Sequence, residues 1–162
     1  MSDAAGNSRK RLFSGSYPVT MDGQRRLAMP KNWRLASDTA DTEFYLLPGR
    51  NKRIYVLTEE RFNRMLESSD NVAIMDGEGM SSHEAIGQQL QIVTLDKQGR
   101  FQLSNNLAQH AGIDKKAVFC GAIFCGTIVA PENLYSDEQS KEQTYNYLQR
   151  LEEQNIKQRQ NI

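Results

Sequence analysis

The segment Val19-Thr20-Met21-Asp22-Gly23-Gln24-Arg25-Arg26-Leu27-Ala28-Met29 returns 74 residues later as Val93-Thr94-Leu95-Asp96-Lys97-Gln98-Gly99-Arg100-Phe101-Gln102-Leu103. Val, Thr, Asp, Gln and Arg recur in place, and Met21, Leu27 and Met29 meet Leu95, Phe101 and Leu103. An internal repeat of this kind governs any fold assignment. Without a gap, the same offset sets Trp33 on Leu107, Phe44 on Val118 and Ile54 on Ile128.

Each copy reads as strand, Asp-led turn, strand, short helix and a closing strand pair. Apolar residues alternate at Val19 and Met21 and at Leu27 and Met29, the period of a half-buried strand, and Asp22-Gly23 supplies turn chemistry. Pro30 suits the first helical position of one copy, whereas Ser104 is a good N-cap and Gly112 a good terminator in the other. Phe44–Leu47 and Ile54–Leu57 flank Pro48-Gly49-Arg50-Asn51, and Val118–Cys120 and Thr127–Val129 flank Gly121, predicting two hairpin-like pairs. Trp33, Phe44, Tyr45 and Tyr17 fall at core-facing positions, which disfavours a platform for stacking single-stranded bases.

Between the copies the spacing of Phe62, Met65 and Leu66 predicts one helix. Ser81 with Glu84 predicts a capping box opening a second, with Ile86 and Leu90 facing inward and Asp76-Gly77-Glu78-Gly79 left as a loop. After Pro131, a third helix is expected from about Asp137, with Tyr145, Leu148 and Leu151 as a thin apolar stripe, either docked or solvated.

The chain has 162 residues, 38% hydrophobic and 25% charged, a length that suits one or two domains with a core of their own. Twenty basic and twenty acidic residues cancel, so no global field announces a nucleic-acid partner. Charge is nevertheless segregated: residues Arg9 to Arg34 carry a net +6, and Thr58 to Leu90 a net −5. Cys120, Cys125, His83 and His110 match no zinc spacing and read as free thiols and ordinary imidazoles, so no metal or cofactor is expected. Gly121-x-x-x-x-Gly126-Thr127 lacks the lysine of a phosphate-binding loop, and no nucleophile sits in a recognised setting, which argues against an enzyme. Met1 to Gly6 is small and polar with no apolar run behind it, and the run from Ala117 to Ala130 is too short to span a bilayer, so a cytoplasmic protein is expected.

Phe13-x-Gly15-x-Tyr17, followed by Asp22-x-x-x-Arg26-Leu27-x-Met29-Pro30, and Leu95-Asp96-Lys97-Gln98-Gly99-Arg100 with Ala111-Gly112-Ile113, resemble the two copies of the MraZ family. The likeness covers Leu12 to Tyr135. It implies a mainly β, α+β chain in which two tandem half-modules form an AbrB-like swapped-hairpin double-psi-type barrel, and a ring-shaped homo-oligomer. It also implies a nucleoid-associated transcriptional regulator that binds double-stranded DNA at short direct repeats upstream of the cell division and cell wall gene cluster. Neither a membrane nor a small-molecule substrate is implied. On this reading residues 1–11 are a flexible basic tail whose Arg9-Lys10-Arg11 could add phosphate contacts. Residues 12–62 and 91–135 are the repeats, 63–90 a helical connector, and 136–162 a C-terminal helix or tail.

The resemblance puts Asp22, Gln24, Arg25, Arg26, Asp96, Lys97 and Arg100 at the DNA. The two aspartates can accept turn N–H groups, or pair with their own or a neighbouring arginine to fix the loop. Arg26 and Arg100 project planar forks suited to phosphate oxygens or to guanine O6 and N7. The chain departs from the family pattern at Gln24-Arg25, where Lys-Gly is expected, so either Gly23 absorbs a left-handed torsion or the loop is rebuilt. Ser104 replaces a proline, and Glu84 to Gln91 lacks the basic residues expected before the second signature. The competing reading is a non-DNA-binding scaffold ring on the same fold.

Overall fold

A computed structural model describes residues 10–69 and 75–161. Arg9, the residues before it and part of the connector lie outside the described residues. The chain is mixed α+β. The first copy supplies β1 (Ser16–Thr20), β2 (Arg26–Ala28), β3 (Glu43–Pro48) and β4 (Ile54–Thr58). Helices α1 (Glu59–Leu66) and α2 (Gly77–Gln89) follow, and then β5 (Gln91–Thr94), β6 (Arg100–Gln102), α3 (Asn105–Ala111), β7 (Lys116–Gly121), β8 (Gly126–Val129) and α4 (Asp137–Gln160).

All strand pairs are antiparallel, in a six-stranded sheet of order β1-β7-β8-β4-β3-β5 and a two-stranded ribbon β2-β6. The order is the same read from either end once the copies are exchanged, so a pseudo-two-fold axis passes between β4 and β8, where Ile54 faces Ile128, and through Leu27 and Phe101 in the ribbon. β1 pairs with β7 and β5 with β3, so the first strand of each copy lies on the third strand of the other. The Asp-led turns do close, with Asp22 N–H donating to Arg26 O at 3.1 Å, but the strands on either side of each turn separate to partners in the opposite copy. Neither sheet closes on itself. The expected closed barrel is not found among the described residues, because β1 and β5 are the ends of one sheet and β2 and β6 pair only with each other.

The large sheet is buried on both faces. Phe44, Leu46, Ile54, Val56, Ala117, Phe119 and Ile128 join Leu27, Phe101, Met29, Leu103, Trp33 and Leu107 in the main core. On the reverse face Tyr45, Leu47 and Leu57 meet Phe62 of α1 and the partly buried Leu66, Ile86 and Leu90. Burial on both faces explains why β3 reads as an uninterrupted apolar run. Pairing also corrects the repeat register. Val19 faces Ala117, but its counterpart Val93 faces Phe44. Phe44 therefore matches Ala117 and not Val118, because residues that fill the same core must share a face and a one-residue shift moves a side chain to the other face.

Local chemistry sets the helix ends. Pro30 precedes a three-residue 3-10 turn, Lys31–Trp33, in place of starting a helix. Ser104 caps α3 by accepting from Leu107 N–H at 3.3 Å, and Gly112 ends it at φ +65°. The second connector helix begins before Ser81: Asp76 caps it by accepting from Gly79 N–H at 3.1 Å, so the stretch read as a loop is its first turn. Met65 points outward, half-exposed. Cys120 and Cys125 are free and partly buried, and burial pushes both thiols up. α4 opens on a Ser136–Gln139 capping box and buries no residue against the rest of the chain, and no described helix is long and apolar enough to cross a membrane.

Trp33 is fully buried, with Phe13, Tyr17 and Phe119 edge-on to its rings at centroid distances of 5.1, 6.1 and 5.5 Å. A Cβ at Gly126 would come 2.5 Å from this indole. Gly126→Ala is expected to destabilise by about 1–3 kcal/mol through overpacking, read as a lower urea midpoint with an unchanged slope.

Candidate nucleic-acid interface

The two turns are built alike. Asp22 Oδ1 accepts from Gln24 N–H at 2.9 Å and Arg26 N–H at 2.8 Å, while Oδ2 accepts from Arg26 Nε–H at 2.8 Å. Asp96 Oδ1 accepts from Gln98 N–H and Arg100 N–H, both at 2.9 Å, and its Oδ2 from Arg100 Nε–H at 3.0 Å. Both roles considered for the aspartates are thus filled at once. The four-residue spacing carries this arrangement, since a carboxylate at the turn's first position can reach the N–H two and four residues on.

The copies are also joined across the axis. Arg26 Nη1 lies 3.8 Å from Asp96 Oδ2, and Arg100 Nη1 lies 3.9 Å from Asp22 Oδ2. Arg25 O accepts from Leu103 N–H at 3.0 Å and Gly99 O from Met29 N–H at 2.8 Å, so each turn is pinned by the strand end of the other copy. Gln102 adds a side-chain donor to Gln24 O at 3.1 Å. The Nε edge of each arginine is committed to aspartate, and among the described residues the Nη groups make no hydrogen bond within the protein. Gln24, Lys97 and Gln98 are exposed at the tips, with Arg25 partly buried beside them. All seven sequence-selected residues, Asp22, Gln24, Arg25, Arg26, Asp96, Lys97 and Arg100, therefore lie in or beside one paired-turn surface.

Both carboxylates are held below the ordinary aspartate range. For Asp22 the Arg26 backbone N–H is the main cause, opposed by partial desolvation and aided by the Arg26 side chain. For Asp96 it is the Arg100 backbone N–H, again against desolvation, then Gln98 N–H.

Arg25 itself adopts φ +63°, at the position where the second copy has Gly99 at φ +78°. Neither expected remedy is used: the torsion does not move to Gly23 and the turn is not rebuilt. Gly99 also packs against the Arg34 guanidinium, the flexible end of that side chain. Arg34 was not selected from the sequence, since only packing on Gly99 brings it to the turn. Arg11 is no flexible arm: it chelates Asp38, with one bond at 2.8 Å, and donates to Trp33 O at 2.6 Å.

No protein-family model matches the chain. Curated proteins do. It is similar to Transcriptional regulator MraZ of Lachnoclostridium phytofermentans, 28% identical over 118 residues, which is 69% of this chain and 77% of the relative. The same-named protein of Mesoplasma florum is 27% identical over 110 residues, 68% of this chain and 74% of its own. That of Thermomicrobium roseum is 23% identical over 122 residues, 75% and 84%. The chain is a homologue of the MraZ regulators. Six relatives at 23–28% identity carry that name, which supports the MraZ family and a role in transcription regulation.

Two outcomes are expected. Arg25→Gly relieves about 1–2 kcal/mol of left-handed strain at an entropy cost of about 0.5–1 kcal/mol. Its melting temperature should therefore rise by no more than about 3–6 °C. The second follows from the depressed aspartates. Unfolding raises their pKa, so their stabilisation is complete above the ordinary aspartate value, about pH 4, and is lost as pH falls through the lower folded values. Asp22→Asn with Asp96→Asn should flatten the fall in melting temperature below about pH 4, measured in an acid series against wild type.

Proposed function

We propose that this chain is a sequence-specific double-stranded DNA-binding transcriptional regulator of the MraZ type. It acts as a ring-shaped, nucleoid-associated homo-oligomer in the cytoplasm, on short direct repeats upstream of the cell division and cell wall gene cluster. One observation carries the reading: two Asp-x-x-x-Arg turns stand side by side on a single ribbon, their arginine Nη edges free of hydrogen bonds within the protein. In this reading Asp22 and Asp96 orient Arg26 and Arg100, whose free edges address guanine or phosphate. Gln24, Arg25 and Lys97 supply flanking contacts. Residues 12–62 and 91–135 act as one swapped-hairpin module, a view supported by the pairing of each first strand with the opposite copy. The ring follows from two similar but unequal halves, whose head-to-tail contacts close when the rotation permits.

The test is binding of DNA fragments selected from a random pool, followed by fluorescence anisotropy across a salt series, with light scattering for assembly. Wild type should prefer repeat-bearing duplexes, with affinity falling steeply as salt rises. Arg26→Ala with Arg100→Ala should remove that preference, because each base contact is worth about 1–3 kcal/mol and is multiplied across a ring. The assembly itself should survive. Absence of any preference at about 50 mM salt, where electrostatic binding is strong, would leave the scaffold reading in its place, and a monomer at micromolar concentration would remove the ring.

A further inference from the structure

Two depressions flank the paired turns. The larger, about 430 Å³, lies between the Lys31–Thr42 segment and the turn containing Lys97 and Gly99. The smaller, about 210 Å³, lies between Arg25 and α3 with the residues after it, up to Asp114. They are counterparts under the pseudo-two-fold axis. Lys31, Arg34 and Gly99 line the first, and Asn105, Ala108 and Arg25 stand at the matching places of the second, with the same 74-residue spacing between each pair.

The arginine has changed walls. In the first depression the turn carries glycine and the facing segment carries Arg34; in the second, the turn carries Arg25 and the facing helix carries Ala108. Each depression therefore keeps one guanidinium and one small residue opposite it. Neither arginine is spent inside the protein: among the described residues neither forms an ion pair, and Arg34 Nε is buried without a hydrogen-bond partner. A donor without a protein partner is free to meet water or an anion from outside the chain. The nearby acids of the first depression are already engaged, Asp38 by Arg11 and Asp96 by Arg100, so Arg34, Lys31 and Lys97 leave it positive. In the second, Asp114 also lines the wall, so the charge there is more nearly balanced, and Arg25 holds a left-handed backbone, a strain of the kind that persists at functional sites.

We propose that the two depressions are a matched pair of seats for phosphate-type oxyanions of a DNA backbone, one built around Arg34 and the other around Arg25. The DNA as source rests on the regulator reading above; the oxyanion chemistry does not. Spaced on either side of the Asp-x-x-x-Arg turns, the seats would fix the register of the duplex while Arg26 and Arg100 read it, the usual division between phosphate and base contacts.

The direct test titrates inorganic phosphate into the full chain against chloride at matched ionic strength, following the arginine Nε–H resonances. Two saturable responses are expected, with Arg34→Met removing one and Arg25→Gly the other; both variants keep the fold, as thermal melts should confirm. No saturable response, or responses that survive both substitutions, would overturn the seats. A second arm measures a short duplex across a salt series. If DNA supplies the phosphates, each variant lowers the slope of log affinity against log salt by about 0.9. Phosphate saturation with unchanged slopes would assign the seats to a free oxyanion and overturn the DNA source. Wild type that binds phosphate but no duplex would defeat the regulator reading and leave the seats standing.

Discussion

Asp22 and Asp96 each answer three donors within their own turn and reach an arginine of the other copy. Everything at the paired-turn surface depends on this arrangement. A short turn ending in a strand leaves several N–H groups pointing into its own concavity, and a carboxylate placed at the first position satisfies them in one stroke. The same carboxylate then fixes the arginine that begins the next strand. A long, flexible guanidinium becomes an oriented one, which lowers the entropy lost when its free edge meets a partner.

That local device works only because the two copies are interlocked. The strands around each turn leave for the opposite half, β1 to β7 and β2 to β6, so neither copy has a complete sheet of its own. Leu27 and Phe101 meet at the centre of the ribbon and bury themselves in the shared core, which sets the two turns a fixed distance apart. Geometry at the surface is thus inherited from packing beneath it. Preorganised groups on rigid strands suit recognition of a stiff partner better than groups on mobile loops do.

The departures from symmetry are as informative as the symmetry. The β3 and β7 strands are offset by one residue from the register that the repeat suggests, and the core tolerates this because Phe44 and Ala117 both face it. Arg25 sits in a conformation better suited to glycine, and Gly99, in the same torsion, packs against Arg34. The left-handed Arg25 lies at the paired-turn surface, where function is proposed, whereas the left-handed Asn51, Lys52 and Ile123 lie in other loops.

Sequence alone determined the repeat, the α+β class, the Asp-led turns, the Ser104 and Gly112 caps and much of the core, though not that Met65 faces outward, because these follow from short-range chemistry and from the period of apolar residues. It also singled out Asp22, Arg26, Asp96 and Arg100, since their spacing encodes the turn directly. Only the tertiary structure decided which strands pair, that the sheet stays open, and that the two turns share one surface. Strand partners are chosen by long-range burial, which leaves no mark on the residues between Thr20 and Lys116. Arg34 and Arg11 stayed hidden for the same reason: an arginine in sequence is a charge, and whether it chelates Asp38 or lies unpaired over Gly99 depends on what the fold brings beside it.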